Sequence, residues 1–194
     1  WNKLDSQPAL LHKLIQQHQL QRTRAILITH SHYDHTLDLP FLAQQLKHSQ
    51  IIGSESSLNI ARGAAIPESR LSLVNPAQPI QIGKFKITAI PSQHPPATAV
   101  NNDLGEQIQQ PLSLPARFYE FKEGGSFDYY IQHPEQNILV KASTGAISKQ
   151  LQHLQVDTLF LGIAQLSKQS VAFQQHYLDE TVGTLRPRVV IPIH

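Results

Sequence analysis

The chain has 194 residues, a formal net charge of +2, and 40% hydrophobic against 15% charged residues, a balance that suits one globular domain rather than a disordered chain. The charges are interspersed, so no basic stripe marks a nucleic-acid binder, and no apolar run is long enough to span a bilayer. Cys is absent, which removes disulfides, thiol nucleophiles and zinc–thiolate sites. Met is absent as well, even at position 1. Trp1 therefore reads as the start of a mature form or a fragment, and the expected soluble protein could be cytoplasmic or exported.

In chain order, Leu10, Leu11, Leu14, Ile15 and Leu20 predict an amphipathic helix over 9–21. The apolar run Ala25–Thr29 predicts a buried strand, which leads into the polar loop His30–His35. A second helix is expected with Asp38 near its start and Pro40 in its first turn. Ile51-Ile52 is a candidate strand, and Ser54 a cap for a helix stopping near Gly63. Leu71–Val74 reads as a strand, and Ile80–Ile82 with Phe85–Ile90 as a hairpin around Gly83-Lys84. Residues 97–126 lack periodicity, and so long an irregular stretch predicts a substrate loop or lid. Further strands are expected at 127–132, 138–142, 158–163 and 189–193, with helices at 148–154 and about 171–185. Polar groups fall at strand ends: His30, His94, Ser143 and His194. In layered α/β folds such ends are where distant segments converge.

The eleven histidines are the unusual component. His12, His18, His48 and His153 lie singly in polar helical stretches and suit a solvated surface, while His133 and His176 have no motif to place them. His30-Ser31-His32-Tyr33-Asp34-His35 is different. Its H-x-H-x-D-H spacing lets His30 and His32 project to one side, and imidazole and carboxylate suit zinc and related divalent ions.

This loop resembles the signature of the metallo-β-lactamase superfamily, and later elements follow the same order. Thr29–His35 and Pro91-Ser92-Gln93-His94 look closest to the branch of sugar-phosphate lactonases and N-acylphosphatidylethanolamine phospholipase D. The resemblance implies an α/β fold, an αβ/βα four-layer sandwich, in one partial domain over 1–194 that lacks N-terminal strands and the C-terminal end. An exposed apolar patch is the expected mark of that loss. The same resemblance makes His94 the third ligand of a first metal beside His30 and His32, with Asp34, His35 and His194 holding a second.

One departure matters. The family's bridging Asp falls in the stretch matched here by Lys141-Ala142-Ser143-Thr144-Gly145, so Ser143 stands in its place. A hydroxyl is a poor zinc ligand, and Ser143 suits positioning of a water instead. One or two divalent ions are expected, zinc first, with manganese or iron as alternatives.

The expected activity is metal-dependent hydrolysis of an ester, lactone or phosphodiester by metal-bound hydroxide, oriented by Asp34. An electropositive pocket favours a small anionic or polar substrate, with Arg117, Tyr119 and Lys122 as candidate substrate contacts. The alternative from another class is a degenerate, non-catalytic metal-binding domain. β-Lactam hydrolysis ranks lower, because Pro91–Pro96 lacks the G-H-T-x-G flavour of that group.

Overall fold

The computed structural model describes residues 2–98 and 102–194. Trp1, and residues 99–101 of the expected 97–126 lid, lie outside the described residues. The chain divides into two units, Trp1–Val74 with Asn101–Gly125, and Asn75–Val100 with Ser126–His194.

The first unit is built on three short parallel strands in the order β1 (Ala25–Leu27), β2 (Gln50–Gly53) and β3 (Leu71–Leu73). Ile26 pairs with Ile51, and Ile51 with Leu71. Parallel neighbours need crossovers, and helices supply them. These are α2 (Tyr33–Thr36) and α3 (Leu39–Gln45) between β1 and β2, and α4 (Glu55–Gly63) between β2 and β3. Helix α1 (Pro8–Gln17) precedes them, with Pro8 in its first turn and Leu11 and Ile15 buried one turn apart. Ser54 caps α4 by accepting the Ser57 N–H at 3.3 Å, as its position predicts. The Arg70 guanidinium donates to the carbonyls of Ala43, Leu46 and Ser49, satisfying acceptors at the end of α3 and just beyond it.

Ile28, Ile51, Leu58 and Ile60 form the core of this unit, and Ala116 and Phe121 join it from the late irregular segment. Fully burying one such large side chain contributes roughly 1.5–3 kcal/mol. Ile108, Ala116 and Phe121 thus anchor the 102–125 stretch to the core. Leu4 and Ala116 add a β-bridge.

The second unit carries six strands in sequential order: β4 (Ile80–Ile82), β5 (Phe85–Pro91), β6 (Phe127–His133), β7 (Gln136–Lys141), β8 (Thr158–Gly162) and β9 (Val189–Ile193). The first four are antiparallel, and β8 and β9 join in parallel. Leu139, Leu159, Leu161 and Tyr177 lie at the centre of its core. The outer strand β9 leaves Val189, Val190 and Ile191 exposed and carries Pro192.

Two expected helices differ. In place of the helix expected over 148–154, residues 148–153 form successive turns, because Lys149 adopts a left-handed backbone at φ +65° that a right-handed helix cannot absorb. The helix expected over 171–185 is α-helical only as α5 (Val171–Leu178), then widens into a π-helical turn over Asp179–Gly183. There the Thr181 and Thr184 hydroxyls donate to the Tyr177 and Asp179 carbonyls, competing with the regular ladder. No described helix is long and apolar enough to cross a membrane.

Candidate metal centre

Strand β1 delivers the metal loop. Ile28 extends its pairing by donating to the Ile52 carbonyl at 2.9 Å, after which the chain turns at His30. His30, Ser31 and His32 are buried. The turn is held from both sides: Thr36 Oγ1 donates to the carbonyls of Ser31 (3.1 Å) and His32 (2.9 Å), and Ser31 Oγ donates to the Lys122 carbonyl at 2.6 Å. His32 is the N-cap of α2, which puts Asp34 and His35 on the first helical turn. The His30 and His32 rings meet edge to face at 5.0 Å, and the His35 ring lies 3.9 Å from His30. Thr29 Oγ1 lies 3.3 Å from His35 Nδ1, and Asp34 Oδ2 is 3.7 Å from His35 Nε2.

His94 follows β5 on a loop tied down at several points. Ser92 N–H donates to the Ser126 carbonyl at 2.9 Å, Gln150 Nε2 donates to the Pro91 carbonyl at 2.8 Å, and Lys141 Nζ donates to Ser92 Oγ at 2.8 Å. The His94 ring is half-buried, with Nδ1 3.1 Å from the Pro95 carbonyl. Ser143 follows β7 and is buried, and His194 follows β9 and is exposed.

Within the first unit the His30, His32 and His35 rings lie together, and imidazole nitrogens of this kind suit a divalent ion. His94 and His194 belong to the second unit. Arg117 and Tyr119 are exposed and bonded to each other, and Lys122 pairs with Glu106 at 2.7 Å.

Two polar arrangements were not singled out in the sequence. The Asp103 carboxylate, from the late segment of the first unit, reaches His32 Nε2 at 3.2 Å. No periodicity or motif marks Asp103, and 71 residues separate the two. In the second unit Lys141 Nζ and Asp128 Oδ2 form a buried pair at 3.1 Å. This one had a signal: in a hairpin turning at 134–135, Asp128 and Lys141 fall opposite each other. Burial pushes the Asp128 carboxyl above its ordinary range, opposed by the Lys141 ammonium.

The buried histidine loop His30–His35 on this mixed α/β architecture is that of a metallo-β-lactamase-fold protein. Residues 3–194 match the profile of the β-lactamase superfamily domain, and the chain belongs to that family, whose members are largely metal-dependent hydrolases. Solved structures agree on the fold. Igni18, a metallo hydrolase from Ignicoccus hospitalis, has a TM-score of 0.57 at 15% identity over 89% of this chain and 64% of its own. CmlA, a diiron β-hydroxylase from Streptomyces venezuelae, has a TM-score of 0.54 at 17% identity over 89% and 35%. YhfI from Bacillus subtilis, a metallo-β-lactamase-fold protein, has a TM-score of 0.54 at 13% identity over 98% and 82%. The chain thus spans less than two thirds of the first two. No curated protein matches the sequence.

Proposed function

We propose that this protein is a metal-dependent hydrolase of an ester, lactone or phosphodiester, with His30, His32 and His94 holding a divalent ion, zinc first. The observation that carries this reading is the buried pair His30 and His32 in the first unit, rings 5.0 Å apart, on a chain of this family, with His94 assigned by the family resemblance of Pro91–His94. Asp34, His35 and His194 are the proposed ligands of a second ion. When bound, such ions supply Lewis acidity, lowering the pKa of water from about 15.7 towards about 7 and polarising a carbonyl or phosphoryl oxygen.

The chain's own groups do the rest. Burial of His30 and His32 keeps competing water from the donor nitrogens. Asp34 is proposed to hold and orient the attacking water, and Ser143 to donate a hydrogen bond to it. Arg117, Tyr119 and Lys122 are the proposed contacts for a small anionic or polar substrate.

The fold by itself does not choose the reaction, since CmlA is a β-hydroxylase. A second reading is a non-catalytic metal-binding domain, favoured by Ser143 at the position where the family resemblance expects a bridging carboxylate.

Purified protein loaded with zinc should contain bound metal and hydrolyse bis(p-nitrophenyl) phosphate or a simple lactone. Both His32→Ala and Asp34→Ala should abolish turnover, and His32→Ala should also release metal. Bound metal with no turnover on any ester, lactone or phosphodiester supports the non-catalytic reading. Failure to take up zinc, manganese or iron overturns the metal site itself.

A further inference from the structure

The late irregular segment of the first unit makes one contact with the metal loop that the family resemblance does not account for. His32 Nε2 faces both oxygens of Asp103, at 3.2 Å and 3.3 Å. Both side chains are shielded, with 7% of His32 and 13% of Asp103 exposed. The carboxylate is itself fixed: Asp103 Oδ2 accepts the Glu123 N–H at 3.1 Å. The Glu123 side chain turns back to accept the Gly105 N–H at 3.0 Å, and the Glu123 carbonyl accepts the Ser31 N–H at 3.0 Å. A closed ring of bonds therefore runs from Asp103 through Glu123 to Ser31, the residue before His32. Next to it Gly124, at φ +71°, packs so tightly that a Cβ there would stand 2.3 Å from Ser31 Oγ.

An imidazole has two nitrogens, and only one without a proton can hold a metal. A carboxylate facing Nε2 requires a proton on that nitrogen. In the neutral ring the lone pair is then on Nδ1. We propose that Asp103 is a positioning residue for His32: it fixes the ring as the Nε2–H tautomer, commits Nδ1 to the ion, and orients the ring by the bond. The proposal rests on His32 being a ligand, as in the preceding section.

The charge argument points the same way. A carboxylate bonded to the far nitrogen of a ligating histidine raises its basicity. With Ser143 where a bridging Asp is expected, Asp103 supplies negative charge to the site without occupying a coordination position. Outer carboxylates of this kind are typically worth about 10–100-fold in metal affinity.

Two measurements on the whole chain test this. Zinc affinity, by competition with a chromogenic chelator, should fall about 10–100-fold in Asp103→Ala and by less in Asp103→Asn, which keeps an acceptor for the Nε2–H. Long-range ¹H–¹⁵N spectra of the histidine rings at about pH 8, where an ordinary imidazole is neutral, should show the His32 proton on Nε2 in the wild type before and after zinc. In Asp103→Ala the metal-free ring should become a mixture of tautomers. A purely structural role for Asp103 would leave the tautomer unmoved in a folded variant. Circular dichroism checks folding, and Asp103→Asn serves if the alanine variant unfolds. Unchanged zinc affinity in a folded Asp103→Ala, or a wild-type His32 proton on Nδ1, overturns the inference. A wild type that takes up no zinc overturns the metal site instead, and the metal-free spectrum still decides whether Asp103 sets the tautomer.

Discussion

Lys141 and Asp128 show what a polar pair costs inside this protein. Both side chains are almost wholly buried, and the ammonium is shared between the carboxylate and Ser92 Oγ. Its position 5.9 Å from the Tyr177 ring adds a weaker cation–π contact. Removing one partner strands the other, which typically costs about 3–5 kcal/mol, whereas replacing both by apolar groups of similar volume is often neutral. Urea unfolding should therefore show Lys141→Met destabilised by about 3–5 kcal/mol, with most of that recovered in Lys141→Met/Asp128→Leu. Equal stability of the single variant and the wild type would contradict this. At the same scale the metal loop was legible, because His30, His32, Asp34 and His35 sit within six consecutive residues. Asp103 was not, because its partner is 71 residues away and no local pattern points to it.

Among the elements, those with punctuation in the sequence came out where expected. Ser54 and Gly63 bound α4, and Gly83 at φ +58° turns the β4–β5 hairpin. Where apolar spacing was the only cue, as at 148–154, one left-handed residue, Lys149, was enough to replace a helix by turns. The irregular 102–125 segment could be recognised as unusual, yet its packing role through Ala116 and Phe121 could not, since those contacts are all tertiary. Two glycines separate conformation from contact. A Cβ on Gly83 meets nothing within 4 Å, so Gly83→Ala should cost only the left-handed penalty, about 1–2 kcal/mol. A Cβ on Gly124 would also stand 2.4 Å from Ser56 Cβ. Gly124→Ala should lower the thermal midpoint several-fold more than Gly83→Ala does. Similar shifts for the two would mean that the 124 loop yields without cost.

Over the whole chain, buried phenols contribute to the response to alkali, Tyr129 and Tyr177 most strongly. Burial pushes the Tyr129 and Tyr177 hydroxyls above the ordinary phenol value of 10.0, and the Tyr177 hydroxyl donates to the Gly162 carbonyl at 2.7 Å. The unfolded chain therefore loses these protons first. The stability they contribute is complete below about pH 10 and is lost as pH rises towards the raised folded values. Guanidinium midpoints should fall between about pH 9 and about pH 11, and Tyr129→Phe should flatten that fall. A wild-type midpoint unchanged across that interval would refute the linkage.

Pro192 has a bearing on how copies of this chain behave when crowded. Val189 N–H donates to the Asp157 carbonyl, and the Ile193 carbonyl accepts from Ile163 N–H, so the backbone groups of 190 and 192 turn away from β8. Proline has no N–H to offer there, which interrupts the row of donors that a visiting strand would zip onto. Pro192→Val would complete that row beside exposed Val189, Val190 and Ile191. Light scattering of the concentrated variant should then rise well before that of the parent.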